Sequence, residues 1–349
     1  MAQVAFGFES FIPKEKEKNS TILDPTNRFE RSNDIISFYP HIILYKAYDR
    51  QTGLEVTWHE LLFDYLTEEE IKSIIQKAEK IKQLHFQTIN SIICYWIPES
   101  KNKLYYITKS LSKSTIYSNI LNSNIEIKPQ VIARWFYPIL QSLKYLHSLN
   151  PPLIHGKVHP ENIFVKPSSG SVKICSPSLK VVNECTRKRI TLHPTIPPEC
   201  FINAENTFSD IYSFGMSILY TITRREPYEE CQSPIELFHK ISNYIPPNSL
   251  SLVTDRYLHD LIEKCLAPPM QRPTASELLY HKFFSQRFIN SNILSPSSNS
   301  DDIIIIFPGK SRSDTDLQIA DQRSDSDMIQ LDCNRSLSTT LLTNNQEFK

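Results

Sequence analysis

The chain has 349 residues, 38 basic and 38 acidic, with 40% apolar residues. That length and apolar content suit one large two-lobed domain or two small ones with tails, and zero formal net charge removes any global reason to expect nucleic acid or an anionic bilayer as partner. Seven scattered cysteines without a CxxC pair argue against a zinc site or a disulfide framework and fit a reducing compartment.

Residues 1–27 read as a polar flanking segment, with Lys14-Glu15-Lys16-Glu17-Lys18 as a solvated run and no signal-peptide pattern. Residues 42–48 predict a strand, 49–53 a hairpin turn and 54–61 the returning strand. Thr67 followed by Glu68, Glu69 and Glu70 predicts a helix start, because a side-chain oxygen caps free N–H groups and carboxylates favour the positive end. Ile71, Ile74, Ile75, Ala78, Ile81 and Leu84 then share one stripe. Strands are expected at 89–96 and 104–108, around a polar turn at 99–102. Residues 131–148 predict a long helix, ended by Pro151-Pro152. Ser209-Asp210 predicts the cap of another helix, and 234–244, 255–265 and 274–279 predict three more. From about residue 290 Ser, Asn and Asp dominate, and a largely disordered tail is expected, interrupted by Ile303, Ile304, Ile305, Ile306 and Phe307. No run of about eighteen apolar residues predicts a membrane-spanning helix.

The most informative stretch is Ile154-His155-Gly156-Lys157-Val158-His159-Pro160-Glu161-Asn162-Ile163-Phe164. It stands in order with Val56-Thr57-Trp58-His59-Glu60, Trp96, Leu143-Lys144-Tyr145-Leu146-His147, Pro197-Pro198-Glu199, Asp210-Ile211-Tyr212-Ser213-Phe214-Gly215, Pro227-Tyr228-Glu229-Glu230 and Arg272-Pro273-Thr274. Together these resemble a protein kinase domain, and within it a pseudokinase of the nuclear receptor-binding protein family and its with-no-lysine (WNK) kinase relatives, over about residues 24–284. The resemblance implies an α+β fold of two lobes: a small, mainly β N-lobe with one helix and a larger, mainly α C-lobe. It implies three regions: 1–27 flanking, 28–289 kinase-like, 290–349 tail.

The resemblance also implies a set of departures. The glycine-rich loop would span about 36–45, yet no glycine lies between Gly7 and Gly53. The third-strand lysine position holds His59, and the second-strand position that supplies the lysine in WNK kinases holds Ile42. The carboxylate position on the N-lobe helix aligns with Lys77, and Glu79 lies two residues on. The base position holds Lys157, where an ammonium group cannot accept a proton. The metal-binding triplet aligns with Ser176-Pro177-Ser178, and hydroxyls are poor ligands for a hard cation beside a triphosphate. Asn162 remains, and is expected to bond the loop backbone. His155, Glu199, Asp210 and Arg272 match structural positions: a histidine beneath the loop, a buried ion pair, and a carboxylate on the loop backbone.

The expectation drawn from these departures is a protein that is not an enzyme: a catalytically inactive adaptor or scaffold with no cofactor and no metal. Its implied partners are signalling, trafficking or ubiquitin-ligase proteins rather than nucleic acid. The implied location is cytoplasmic, with nuclear or membrane association through partners. Residues 227–244 and the Ile303–Phe307 island are the candidate docking elements; the island could add to a partner as a strand or cover an apolar groove. The alternative is a divergent serine/threonine protein kinase of the WNK-like group with residual ATP binding, or an allosteric regulator of an active kinase. The kinase alternative needs a cation, a carboxylate and a base from unfamiliar positions.

Overall fold

The computed structural model describes residues 22–39, 41–64, 66–122, 126–179, 194–202 and 204–291. The N-lobe is built on period-two alternation. Strands β1 (Ile22–Leu23), β2 (Phe29–Tyr39), β3 (Ile42–Asp49), β4 (Glu55–Leu62), β5 (Ile92–Trp96) and β6 (Lys103–Lys109) form one antiparallel sheet in the order β1-β2-β3-β4-β6-β5. Along β3 and β4 alternate side chains turn inward, so Ile43, Tyr45, Ala47, Val56 and Trp58 share one face with Phe29, Cys94 and Ile107. Trp58 is fully buried and meets Trp96 edge-on at 4.6 Å.

The segment aligned with a glycine-rich loop forms the β2–β3 hairpin. Ile35, Ile36, Phe38 and Tyr39 favour extended backbone, and β2 accommodates them through register shifts around Ile35. Helix α1 (Glu68–Lys82) starts as predicted from Thr67. Glu70 N–H donates to Thr67 Oγ1 at 3.3 Å and Thr67 N–H donates to Glu70 Oε2 at 2.7 Å. The helix buries Ile74, Ala78 and Ile81 and packs on β5.

The C-lobe holds α2 (Ile116–Asn122), α3 (Pro129–His147), α4 (Thr207–Thr223), α5 (Pro234–Ser242), α6 (Arg256–Leu266), α7 (Ala275–Leu278) and α8 (Lys282–Ser291), with the hairpin β7 (Ile163–Val165) and β8 (Val172–Ile174). Helix α4 is its axis: it is buried almost all round and packs against α3 and α6. A Cβ at Gly215 would overlap the Cβ of Cys265, so only glycine allows α4 and α6 this approach. The α4 cap differs from expectation. Asn206 is the cap, its Oδ1 accepting from Phe208 N–H at 2.8 Å, and Ser209 returns its Oγ to Asn206 N–H. Asp210 therefore lies inside the helix and is available to the site.

The two-lobed kinase-like fold is thus established, a β-sheet lobe followed by a helical lobe. Contacts divide the chain after Arg287. Residues 1–21, the Ile303–Phe307 island, Cys185 and Cys333 lie outside the described residues. Among the described residues no helix is long and apolar enough to cross a membrane.

Candidate functional site

The site is organised by Asp210, which is 1% exposed. Its Oδ2 accepts from His155 N–H at 2.8 Å, its Oδ1 accepts from Gly156 N–H at 2.8 Å, and His147 Nε2 lies 2.8 Å from Oδ2. Burial pushes the Asp210 carboxyl up, but the hydrogen bond to His147, the neighbouring His147 and His155 rings and the Gly156 N–H outweigh it, leaving the group below the usual carboxylate range. Gly156 adopts φ +68°, a left-handed conformation that suits glycine. His155 is fully buried. Its Nε2 donates to Cys175 O at 3.0 Å and its Nδ1 accepts from Lys157 N–H at 3.2 Å. Burial holds this imidazole down to about 4, against the pull of Asp210.

The loop then makes a single 3-10 turn, Pro160–Asn162. Asn162 Nδ2 donates to Lys157 O at 3.1 Å, and Asn162 O accepts from Cys175 N–H at 2.9 Å. Ser178 N–H donates to His155 O at 2.7 Å. The Asn162 side chain thus serves the loop backbone, and the 176–178 segment is tied to the same loop.

These pieces wall a cavity of about 310 Å³ that takes in Lys77, Lys157, Asn162, Ser178, Glu161 and Glu205. Lys77 reaches it from α1 and Lys157 from the loop. Burial lowers the Lys77 ammonium, Glu205 and Asp210 raise it, and Lys157 lowers it again. Among the described residues neither ammonium lies within ion-pair or hydrogen-bond distance of a partner. Glu205 went unnoticed in the sequence. A Cβ at residue 156 would lie 3.4 Å from its Oε1 and 3.3 Å from Ser178 Cβ, so Gly156 makes room for it. A glycine at position 156, with no Cβ to fill this space, was the available signal.

His59 and Ile42 lie elsewhere. His59 sits on β4 with Nε2 2.9 Å from Thr108 Oγ1 and its ring stacked on Tyr106, 4.2 Å between centroids. Burial, with Lys157 adding, drives its imidazole down to about 3. Its Nδ1 is buried without a partner among the described residues. Ile42 opens β3 opposite Leu61. Glu79 accepts from Tyr95 O–H at 3.0 Å and does not line the cavity.

Glu199 and Arg272 meet at 2.6 Å with both side chains buried. Ser209 Oγ also donates to Glu199, and Arg272 donates to Phe208 O and Ala267 O. This knot fastens the turn at Pro198–Ile202 to the C-lobe.

A protein kinase implies magnesium, and the donor set does not fit it. Ser178 presents a neutral hydroxyl, Asn162 has its amide on Lys157 O, Asp210 is committed to the loop backbone, and Lys77 and Lys157 share the wall with Glu161 and Glu205. Among the described residues no group of three or more His, Cys, Asp or Glu could hold a metal ion.

With that geometry in place, comparison with known proteins identifies the family. The protein kinase domain family matches residues 43–284. The chain is similar to serine/threonine-protein kinase WNK8 of Arabidopsis thaliana, 29% identical over 347 residues, covering 98% of this chain and 62% of that protein. It is similar to probable serine/threonine-protein kinase WNK10 of the same plant, 31% identical over 283 residues, covering 79% of this chain and 53% of that protein. A third relative is probable serine/threonine-protein kinase WNK6 of Oryza sativa subsp. japonica, 30% identical over 302 residues, covering 85% of this chain and 67% of that protein. The chain therefore spans between half and two thirds of the length of the Arabidopsis relatives.

These relatives overturn the expectation of an inactive adaptor or scaffold that is not an enzyme, since each is named a serine/threonine-protein kinase. The physical reason is that the expectation scored side chains position by position. A cavity reads the sum of its charges, and this one brings Lys77 and Lys157 together with Glu161, Glu205 and Asp210. The chain belongs to the protein kinase domain family and is homologous to plant WNK kinases.

Proposed function

We propose that the chain is a divergent serine/threonine protein kinase of the WNK-like group, with its kinase domain at 28–289 between flanking segments, which binds ATP in the described cleft and phosphorylates protein hydroxyls. The observation that carries this reading is the family match over 43–284 with relatives named serine/threonine-protein kinases. Phosphoryl transfer is mostly positioning and charge stabilisation. Lys77 and Lys157 bring positive charge to a cavity that Glu161, Glu205 and Asp210 also line. Asp210 is committed to the loop backbone, so Glu161 and Glu205 are the wall carboxylates suited to accept a proton from the substrate hydroxyl. Protein partners of the signalling machinery and a cytoplasmic location go with this reading. The finer placing beside the nuclear receptor-binding proteins rests on His155-Gly156 and is proposed for descent alone.

The test is transfer of labelled phosphate from ATP to generic serine- and threonine-containing protein substrates by the purified full chain. Transfer that is lost in Glu205→Gln and in Lys157→Ala supports the reading. A folded chain that transfers nothing sinks it. A second reading, allosteric regulation of an active kinase, is favoured by Lys157 and Ser176-Pro177-Ser178 standing where the resemblance places the base and the metal carboxylate. It requires that titrating this chain into an active relative's assay changes that relative's rate, and an unchanged rate disposes of it.

A further inference from the structure

Away from the cleft, the β7–β8 hairpin gathers lysines without a counter-charge. Lys173 stands opposite Phe164, and the ladder continues as Lys166 N–H donates to Ser171 O at 2.8 Å. Lys166 therefore lies diagonal to Lys173 on the same face of the ribbon as Phe164. Asn90 brings Lys109 beside them: its Nδ2 donates to Lys109 O at 3.0 Å, and its N–H donates to Ile174 O at 3.0 Å. At the hairpin turn Arg134 of α3 donates to Ser169 O at 2.7 Å. All four cationic residues are exposed. Among the described residues the three lysine side chains make no ion pair or hydrogen bond. Partial burial, then the charges of Lys109 and Lys166, lower the Lys173 ammonium, and no carboxylate acts to raise it. Glu55, which acts on Lys113 beyond β6, has one oxygen on Lys46 at 3.2 Å and the other on Ser110 Oγ. Like charges held together this way repel, and an anion relieves the repulsion.

The surroundings narrow the kind of anion. Both edges of the ribbon are engaged, Val165 N–H donating to Ser114 O and Ile174 N–H to Thr88 O, each at 2.8 Å, so a partner is read by side chains rather than by strand addition. None of the exposed large apolar side chains lies on this ribbon, which leaves a bilayer without an anchor. Zero formal net charge exerts no long-range pull on a nucleic acid. We propose that Lys109, Lys166 and Lys173, with Arg134 at the turn, form a docking surface for an acidic segment of a partner protein. Carboxylates of that segment meet the ammonium groups, and an apolar side chain lies on the half-buried Phe164. None of the four cations lines the cavity, so the surface is separate from the cleft and independent of the kinase reading.

The experiment titrates the full chain against a labelled peptide of alternating aspartate, glutamate and leucine, read by fluorescence polarisation at low and at physiological salt. A copy with asparagine and glutamine for the acids, vesicles of phosphatidylcholine with phosphatidylserine, and single-stranded oligothymidylate are the comparison probes. The acidic peptide should bind, more weakly as salt rises, and the amide copy should not. Lys166→Glu combined with Lys173→Glu should weaken binding about tenfold or more, the loss expected for one charge-assisted hydrogen bond. Lys72→Glu, the same charge change at an exposed position of α1, should leave binding unchanged. Lys173→Arg should retain binding and Lys109→Gln should weaken it, which keeps a readout if the double reversal fails to fold.

No binding of the acidic peptide overturns the proposal, as does equal binding of the amide copy. An equal loss in Lys72→Glu, or full affinity in the folded double variant, also overturns it. Tighter binding of the vesicles or of the oligonucleotide would assign the patch to lipid or to nucleic acid instead. Phosphate transfer without peptide binding would sink this proposal and leave the kinase reading standing, and peptide binding without transfer would do the reverse.

Discussion

Replacing Asp210 by alanine removes an acceptor on which the loop depends. Asp210 takes N–H bonds from His155 and Gly156, each 2.8 Å long, while 1% exposed, and His147 lies against the same carboxylate. Alanine strands the buried His155 N–H and loosens the Gly156 N–H at the cavity edge. An unsatisfied buried donor costs about 1–3 kcal/mol, so the two together cost about 3 kcal/mol. In a domain of this size one kcal/mol moves the melting temperature by about 2–4 °C, which gives a fall of about 6–12 °C. The assay is thermal and urea unfolding followed by circular dichroism. A pH series adds a signed test. The folded pKa of Asp210 is depressed, so its contribution is complete above the unfolded carboxylate value, about 3.9, and is lost as pH falls through the folded value. The variant should therefore show a flatter acid limb below about pH 4. A melting temperature within about 2 °C of the wild type would refute the loop-anchoring argument.

Glu199→Gln should cost about 3–5 kcal/mol, because it leaves Arg272 charged and buried without its partner. Adding Arg272→Met should cost less than the sum of the two single changes, and strict additivity in urea unfolding would count against a coupled pair. Gly215→Ala should cost about 1–3 kcal/mol, since its Cβ would overlap that of Cys265. Gly53→Ala, where φ is +71° but nothing lies within 4 Å, should cost only about 1 kcal/mol. His155 and His59 are held neutral, at about 4 and about 3 against an ordinary 6.5. Their stabilisation is complete above 6.5 and is lost as pH falls through the folded values, so the urea midpoint should drop between 6.5 and about 4. His59→Phe, which cannot protonate, should lose part of that slope, and an unchanged slope would show that His59 does not contribute.

Features set by near neighbours were legible in the sequence. The alternation along β3 and β4 and the Thr67 cap each depend on a few adjacent residues, and the structure has them where the periodicity placed them. The α4 cap was less legible, because in a reciprocal box Asn206 and Ser209 are both plausible caps. The β2–β3 hairpin was obscured by alignment to a loop whose glycines are absent; its β-branched and aromatic residues favour a strand. Glu205 left only an indirect trace, the glycine at 156 that makes room for it.

The sequence by itself determined the order of the landmarks, hence the two-lobed fold, and which charges stand at which positions. Only the tertiary structure decided that Lys77 from an N-lobe helix, Lys157 from a loop and Glu205 from just before α4 share one cavity, and that Asp210 closes the loop from 55 residues away. The reason is physical. Strand period and helix caps are local energies, whereas the charge a ligand meets is a sum over groups that become neighbours only when the chain is folded.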